Sequence, residues 1–227
     1  MIIGSGLIAK AFESYCDNQA VLIFAKGVSN SQETDQAEFG REQGVLEEAI
    51  ESNRDKIFVY FGTCSVADEE LKSTPYVKHK LHMEKIIQDS GLKYHIFRLP
   101  QAVGFTKSPT LINYLASKIR NGDKFDIWRK SARDLIDIDD VYKICSFIID
   151  NNYLENHVVN VATNIKAGIL EIVLKLERLL NKKGNYTIKD KGASYSIDTQ
   201  LIDMYLDQIN VDFSGDYINR ILKKYVR

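Results

Sequence analysis

The chain has 227 residues, of which 44% are apolar and 27% charged, and its 30 basic and 31 acidic side chains nearly cancel. That length allows one ordinary domain, or one domain with a small lobe, and a formal charge of -1 excludes the basic excess that is typical of nucleic-acid-binding proteins. No apolar run approaches the roughly 18 residues of a membrane span, and no signal peptide is expected because a glycine-rich turn starts at Gly4.

Short apolar runs alternate with amphipathic stretches over the first hundred residues. The runs of strand length are 1–3, 21–25, 57–61 and 94–99. Between the last two, Ser73 or Thr74 followed by Pro75 predicts a helix start, and that helix is expected to run to Gln88. Continuous apolar strands separated by helices predict a parallel sheet covered on both faces. The right-handed crossover rule then makes it a doubly wound, Rossmann-like α/β fold.

Beyond Gly104 the spacing of the elements changes. The sequence predicts a helix over 111–121, a strand over 125–128, a helix over 139–150 and a strand over 158–162. The tail from 167 to 227 is expected to be mostly helical, with loops over 182–196. The three cysteines, Cys16, Cys64 and Cys145, are far apart and odd in number, which favours reduced thiols in a cytoplasmic protein.

A glycine-rich turn, Gly4-x-Gly6-x-x-Ala9, directly follows the first strand and opens a helix. Glycines at these positions permit a tight turn and a close approach of the backbone, so that a pyrophosphate can bind the amides at the start of the helix. The alternative is a glycine-rich turn of the kind that any α/β protein can contain. Its place at the first strand of an alternating pattern favours a dinucleotide site.

Tyr76 and Lys80 are four residues apart and share one face of the helix that begins near Pro75. An ammonium beside a phenol lowers its pKa, which suits a proton donor to a carbonyl group near neutral pH. The same spacing occurs in Tyr114 and Lys118, so spacing alone does not decide which copy is used.

Three further motifs surround the Tyr76 copy. They are Thr63-Cys64-Ser65-Val66 after the third apolar run, Arg98-Leu99-Pro100-Gln101-Ala102-Val103-Gly104, and Arg133-Asp134 leading to Asp139-Asp140-Val141, with Asn160-Val161-Ala162 beyond them. In this order they resemble the extended short-chain dehydrogenase/reductase family, and within it the nucleotide-sugar epimerases, dehydratases and ketoreductases. The order selects Tyr76, which lies between the Thr63 turn and the Arg98 strand, and leaves Tyr114 to helix packing in the lobe.

The resemblance implies a catalytic role for three residues. Thr63 takes the position of the catalytic Ser/Thr hydroxyl, with Ser65 as an alternative donor. Tyr76 is then the general acid or base. Lys80 orients the nicotinamide ribose and lowers the pKa of Tyr76.

The resemblance also implies the binding residues. The cofactor is assigned to Gly4, Ser5, Gly6, Leu7, Ile8, Ala25, Lys26, Gly27, Lys80 and Pro100. The substrate is assigned to Ser65, Gln101 and Arg133, with Arg133 on the nucleotide diphosphate because a guanidinium fork matches phosphate oxygens. The alternatives are that Gln101 is a loop residue and that Arg133 pairs with Asp134 or Asp137. The nucleotide-binding core is expected over 1–104 and 134–163, and a mostly helical substrate lobe over 105–133 and 164–227, within a single domain.

The chain departs from the family in its strand count. The threonine turn follows the fifth strand in the family but only the third run here, so the second and third strands are predicted to be missing between Cys16 and Val21. The acidic residue about 20 positions past the glycine turn, which holds the adenosine ribose in NAD enzymes, is missing as well. Lys26 and the hydroxyls of Ser29 and Ser31 stand near that position. They favour a 2′-phosphate, and thus NADP over NAD, unless the segment is only a solvated loop.

The resemblance implies an NAD(P)-dependent enzyme acting on a nucleotide sugar in the synthesis of surface polysaccharide precursors. A ketoreductase is favoured over an epimerase because no additional carboxylate or cysteine is placed for elimination or ring deprotonation. The alternatives are an epimerase, a non-catalytic nucleotide-binding regulator on the same fold, and an enzyme completed by a partner chain in a homodimer. No nucleic acid, membrane or metal is expected, and His79 with His82 and Glu84 is interpreted as a solvated helix face.

Overall fold

A parallel sheet forms the centre of the molecule. The computed structural model describes residues 1–28 and 30–226. In chain order its strands and helices are β1 (Ile2–Ile3), α1 (Leu7–Ala11), β2 (Val21–Phe24), α2 (Gln36–Ser52), β3 (Ile57–Thr63), α3 (Pro75–Asp89), β4 (Tyr94–Leu99), β5 (Gln101–Val103), α4 (Leu111–Asn121), β6 (Lys124–Trp128), β7 (Ala132–Arg133), β8 (Leu135–Asp137), α5 (Ile138–Asp150), β9 (His157–Asn160), β10 (Ala167–Gly168), α6 (Ile169–Leu180), β11 (Asn185–Lys189), α7 (Gln200–Leu206) and α8 (Tyr217–Tyr225). Short 3-10 turns follow α1 at Glu13–Tyr15 and β3 at Cys64–Ala67.

The central sheet has the order β1-β2-β3-β4-β9, and all of its neighbouring strands are parallel. Its register pairs Ile2 with Ile23 and Thr63 with Leu99. This confirms the predicted parallel, Rossmann-like sheet. Because the strands are parallel, the segments that follow them meet at one edge of the sheet, and there the sequence motifs come together.

Alternate residues of each strand enter two separate apolar layers. On the first face, Ile23, Val59, Phe61 and Phe97 pack with Leu7 and Ile8 of α1 and with Val141, Ile144 and Ile148 of α5. On the second face, Leu22, Phe58, Tyr60 and Ile96 pack with Leu46 and Ile50 of α2 and with Met83 and Ile87 of α3. Both faces are covered, which explains why the strands are continuous apolar runs rather than alternating ones.

The connection between β1 and β2 differs in hand from those that follow it. Strands β1 to β4 are adjacent in chain order, and α2 and α3 both cross on the second face. The link through α1 crosses on the first face, so its hand is opposite to theirs. Crossovers of parallel strands are almost always right-handed. The exception lies where the two strands are predicted to be missing. Helix α1 leads directly to β2, which pairs with β1 on the side opposite to the open edge of the sheet.

A third apolar cluster lies outside the sheet. It joins α4, α6 and α8 to β6 and contains Leu115, Ile119, Ile127, Leu176 and Ile221. The predicted loop over 182–196 is partly wrong, because β11 pairs in parallel with β6 from Asn185 to Lys189. Ile202 and Val211 pack with the first face of the central sheet rather than with this cluster.

Several element boundaries agree with the sequence. Helix α3 begins at Pro75, and the Thr74 hydroxyl accepts a hydrogen bond from the Val77 amide at 3.4 Å. Helix α4 ends at Gly122, which has φ of 76°. The cysteines are all free, with Cys16 exposed and the other two buried. In the described ranges no helix combines the length and the apolar character needed to cross a bilayer.

Candidate active site

Thr63 and Tyr76 meet at the carboxyl end of β3. Thr63 is the last residue of that strand, and its hydroxyl accepts a hydrogen bond from the Ser65 amide at 3.1 Å, which starts the 3-10 turn. Tyr76 lies in the first turn of α3, and its side chain is close enough to Thr63 for the Thr63 hydroxyl to lower the pKa of the phenol. Both side chains are buried. The strand and the helix cap therefore fix this pair of hydroxyls relative to each other.

The predicted effect of Lys80 on Tyr76 is absent from the structure. Burial raises the pKa of Tyr76 to about 12, against a smaller lowering by the Thr63 hydroxyl. The Lys80 ammonium lies 6.0 Å from the centre of the Tyr76 ring and donates to Glu42 Oε1 at 2.8 Å. Its charge is paired with a carboxylate, and the pKa of Tyr76 is raised where the sequence predicted a lowering.

Glu42 on α2 is a site residue that the sequence did not reveal. Its carboxylate is buried and also accepts from the Val28 amide at 2.7 Å and from His79 Nε2 at 3.0 Å. Burial opposes its ionisation, but His79, Lys80 and the Val28 amide outweigh that effect and bring the pKa of Glu42 to about 2. No pattern signals this carboxylate, because Glu42 is separated in sequence from every one of these partners.

The histidine interpretation needs a partial correction. His79 is buried against Glu42, whereas His82 is exposed as predicted. Glu84 is also buried, and its carboxylate pairs with Arg98, whose Nη2 lies 2.6 Å from Oε2. Among residues 1–28 and 30–226 no three potential ligands converge on a metal site.

The glycine turn and the loop after β2 are in direct contact. Gly4 has φ of +136°, and a Cβ atom there would lie 2.5 Å from the Ala25 carbonyl oxygen. Gly4, Ser5 and Gly6 are exposed, and no side chain caps the start of α1 at Gly6. This arrangement fits a diphosphate, which needs accessible amides and a turn without side chains.

The remaining cofactor candidates are placed as follows. Lys26 and Ser31 are exposed, whereas Ser29 lies outside the described residues. Leu7 and Ile8 pack with the sheet. Pro100 joins β4 to β5. The residues present therefore fit the nicotinamide and diphosphate half of a dinucleotide, and the sheet has no strand beyond β1 in the described part of the chain.

Two of the substrate candidates, Gln101 and Arg133, lie on short strands outside the central sheet. Arg133 Nη1 donates to the carbonyl oxygens of Ala132 at 2.8 Å and Ala193 at 3.4 Å. Neither predicted carboxylate partner pairs with it: Asp134 accepts from Thr163, and Asp137 binds Lys224. Gln101 begins β5 and is half-buried. In the described ranges no hydrogen bond joins the side chains of Gln101 or Arg133 to Tyr76.

Tyr195 is a second residue that sequence reasoning missed. Its side chain lies near that of Ser65, and burial raises the pKa of Tyr195 against an opposing effect of the Ser65 hydroxyl. The segment around it is tied to the core, because Ile197 is buried beside Cys64 and Asn160 Nδ2 donates to the Asp198 carbonyl oxygen at 2.9 Å. The alternation of Tyr195 and Ile197 in a polar loop is the only sequence signal for this placement.

The second tyrosine–lysine copy lies elsewhere. Tyr114 is on α4 with 44% of its surface exposed, and the Lys118 ammonium lies 5.8 Å from its ring centre. Tyr114 therefore packs in the lobe with only part of its side chain. Nothing at this position resembles the Thr63–Tyr76 pair.

Comparisons with known proteins agree with this geometry. The family model described as the NAD dependent epimerase/dehydratase family matches residues 4–162. The fold is similar to that of a dTDP-glucose 4,6-dehydratase from Bacillus anthracis in complex with NAD, at 15% identity and a TM-score of 0.73, over 97% of this chain and 76% of that one. It is also similar to a UDP-glucose 4-epimerase from Thermotoga maritima with UDP-glucose, at 16% identity and a TM-score of 0.70, over 99% and 96% of the two chains.

A third solved structure is a UDP-N-acetylglucosamine 4-epimerase from Methanobrevibacter ruminantium M1 in complex with UDP-N-acetylmuramic acid. It is 19% identical with a TM-score of 0.70, over 100% of this chain and 81% of that one. At such identities these structures establish the fold alone. No curated protein matches the chain.

Proposed function

The chain belongs to the NAD dependent epimerase/dehydratase family, and we propose that it is an NAD(P)-dependent oxidoreductase that reduces a keto group of a nucleotide-linked sugar. The observation that carries this proposal is the closeness of the Thr63 and Tyr76 side chains at the end of β3, with Lys80 one turn further along α3 and the glycine turn at the same edge of the sheet. A protein that only binds nucleotides has no need for that constellation.

Each of these side chains has a defined task in the reduction. When bound, a nicotinamide cofactor supplies the hydride. Tyr76 donates the proton to the carbonyl oxygen of the sugar. Thr63 directs its hydroxyl to the same oxygen and stabilises the negative charge that develops there. Both side chains are mostly buried, which limits the water that surrounds the transferred proton.

The surroundings of Thr63 favour reduction over elimination or ring deprotonation. Cys64, the nearest thiol, is buried and donates to the Arg98 carbonyl oxygen at 3.2 Å, and burial raises the pKa of the Cys64 thiol well above its usual range. Glu42 and Glu84 are both held in ion pairs. This leaves Tyr76 as the proton-transfer group of the proposed reaction.

The binding roles follow the same geometry. We assign the nucleotide diphosphate to Arg133, whose guanidinium forms no ion pair within the described part of the chain. The lobe over 105–133 and 164–227 is assigned to the sugar nucleotide, supported by its own apolar cluster. Lys26, which is exposed beside the glycine turn, supports NADP over NAD. A role in surface polysaccharide synthesis rests on the family resemblance.

A panel of keto-sugar nucleotides, offered with NADH and with NADPH, tests the proposal. We expect oxidation of one reduced cofactor with at least one 4-keto sugar nucleotide. Interconversion of two sugar nucleotides without net consumption of cofactor would instead identify an epimerase.

A non-catalytic regulator is the second candidate, favoured by the missing strands and by the pairing of Lys80 with Glu42. It predicts that a nucleotide sugar binds while no member of the panel is converted. Turnover with any member excludes it.

A further inference from the structure

The buried ion pair between Glu84 and Arg98 joins α3 to the sheet, and the proposed reaction does not use it. Arg98 Nε donates to Glu84 Oε1 at 2.9 Å, and Arg98 Nη2 donates to Oε2 at 2.6 Å. The Glu84 side chain is 3% exposed and that of Arg98 is 22% exposed. Two parallel hydrogen bonds between a guanidinium and a carboxylate fix the relative orientation of the two groups as well as their distance.

The pair lies next to the Thr63 turn. Arg98 on β4 pairs in register with Gly62 on β3, and Thr63 is the next residue of that strand. A Cβ atom at Gly62 would lie 2.5 Å from Glu84 Oε1 and 3.3 Å from Arg98 Cγ. Because Gly62 has no side chain, the carboxylate from α3 can reach the two strands at this point.

Glu84 continues the helix face that carries the proposed site. Tyr76, Lys80 and Glu84 follow one another at intervals of four residues, and all three are buried. Side chains of a helix lean toward its N-terminus, so the Glu84 carboxylate is directed toward the end of α3 that carries Tyr76. The ion pair with the sheet is thus on the same side of the helix as Tyr76.

The apolar contacts of α3 with the sheet do not set a direction. Met83 and Ile87 pack in the apolar layer on the second face, and apolar burial is non-directional. Thr74 caps only the first turn. The bidentate pair adds a directional contact, which opposes rotation and sliding of α3 over the strands.

We propose that Glu84 and Arg98 are positioning residues of the active site: their buried pair sets the rotation and the axial position of α3 on β3 and β4, and so holds Tyr76 beside Thr63. The roles of Tyr76 and Thr63 rest on the function proposed above. Glu84 and Arg98 act only through these two side chains, and the sequence resemblance assigns a task to neither of them.

Replacing both charges tests the proposal without leaving an unpaired buried ion. Buried ion pairs can often be exchanged for apolar residues with little loss of stability, so Glu84→Leu combined with Arg98→Leu is expected to fold. Arg98→Lys keeps the charge but loses the planar fork, and it serves if the double variant does not fold. The matched control is Lys85→Gln, which breaks an exposed ion pair with Asp89 on the same helix.

The fluorine NMR spectrum of protein labelled with 3-fluorotyrosine measures the contact between Tyr76 and Thr63 without any substrate. The Tyr76 resonance is the one that disappears in Tyr76→Phe, and the shift that Thr63→Val causes in it reports the contact. We expect the same shift in the wild type and in Lys85→Gln. In the double leucine variant, or in Arg98→Lys, we expect less than about half of it.

Three results would overturn the proposal. They are a wild type in which Thr63→Val does not shift the Tyr76 resonance, a shift that is unchanged when the pair is replaced, and an equal reduction of the shift in Lys85→Gln.

Turnover separates this proposal from the proposed function. With a keto-sugar nucleotide that the wild type converts, replacing the pair should lower kcat about 10- to 100-fold, because small displacements of a reacting group are costly. The same replacement in a Tyr76→Phe background should cost less than about threefold, since the pair acts through Tyr76. Equal losses in both backgrounds would also overturn the proposal. A wild type that converts no member of the panel contradicts the proposed function, while the fluorine shift still decides the role of Glu84 and Arg98.

Discussion

Two tyrosine hydroxyls reach the Thr63 turn from different parts of the chain. Tyr76 comes from α3 and approaches Thr63, whereas Tyr195 comes from the segment before α7 and approaches Ser65. The two phenols therefore both lie near the end of β3, and Tyr195 contributes to the raised pKa of Tyr76. Tyr76 is placed for proton transfer, and Tyr195 is placed to contact the substrate.

We expect Tyr195→Phe to raise KM for the sugar nucleotide by about 2- to 10-fold, the value of one hydrogen bond, with a smaller effect on kcat. Steady-state kinetics measure both constants. Ser65→Ala is the matched partner, and because the two hydroxyls are neighbours that influence each other, the double variant should be no worse than either single one. Fully additive losses would show that Tyr195 and Ser65 act independently.

The acid stability of the protein depends on His95. This side chain is buried at the start of β4 and neither ring nitrogen has a hydrogen-bond partner of good geometry, so burial lowers the pKa of His95 below its usual range. Above about pH 6.5 the ring is neutral in both the folded and the unfolded chain. Below that pH the unfolded chain takes up a proton that the folded protein resists, so the free energy of unfolding falls on acidification.

Denaturant unfolding of the wild type and His95→Leu at about pH 7.5 and about pH 5 measures this effect. The variant should lose less stability on acidification than the wild type. The exposed His157 supplies the control, and His157→Gln should behave like the wild type. An unchanged pH dependence in His95→Leu would remove His95 as the cause.

Some site residues could be predicted from the sequence, and others could not. Tyr76 and Thr63 could be located because a helix cap and a strand end fix their neighbourhood within a few positions. Glu42 could not, because its contacts with Lys80 and His79 depend on how α2 packs against α3. Tyr195 depends likewise on a loop that crosses the carboxyl end of the sheet, and local pattern does not encode that path.

At the scale of elements, the C-terminal helix α8 docks on the start of α5. The Tyr217 hydroxyl donates to Asp140 Oδ2 at 2.8 Å and accepts from the Asp137 amide at 3.0 Å. Lys224 bonds to both Asp137 and Asp139, with 2.7 Å to each carboxylate. The aspartates of the Asp139-Asp140-Val141 motif therefore join the lobe to the core.

Tyr217→Phe leaves the buried Asp137 amide without a partner and should lower the free energy of unfolding by about 1–3 kcal/mol. Denaturant unfolding followed by far-ultraviolet circular dichroism gives the value. Tyr153→Phe, at a side chain with 40% of its surface exposed, is the control and should be nearly neutral. A neutral Tyr217→Phe would mean that apolar packing alone holds α8.

Elements with strong local signals could be predicted and weakly patterned ones could not. Helix α4 has an amphipathic face and a terminal glycine, and its predicted bounds agree with Leu111–Asn121. Strand β11 has the sequence Asn-Tyr-Thr-Ile-Lys and is half exposed. It forms because it pairs with strand β6. Its existence is a tertiary effect, so the sequence predicts a loop there.

At the scale of the whole molecule, the opposite hand of the β1–β2 connection indicates which strands of the family pattern are missing from the sheet. The sheet ends at β1 in the described ranges, and the strands that carry the adenosine half of the dinucleotide site in the family pattern lie beyond that edge. The glycine turn, the Thr63 turn and α3 are retained. The retained part fits the nicotinamide half, and in the adenosine half only the 2′-phosphate of NADP has a proposed contact, Lys26.

Reduced nicotinamide mononucleotide should therefore bind almost as well as NADH, with a difference in Kd below about tenfold, or about 1.4 kcal/mol. The fluorescence of the bound nicotinamide gives both constants in one titration format. A much larger loss on removing the adenosine half would show that the chain builds an adenosine site from other residues.

The transfer of deuterium from C4-deuterated NADH or NADPH to a keto-sugar nucleotide, followed by mass spectrometry of the sugar product, tests the proposed reaction most directly. The wild type and Tyr114→Phe should incorporate deuterium, whereas Tyr76→Phe should do so about 10²- to 10⁴-fold more slowly while binding cofactor with unchanged affinity. Equal incorporation by Tyr76→Phe and the wild type, or none by the wild type with saturating cofactor across the panel, would contradict a hydride-transfer site at Thr63 and Tyr76.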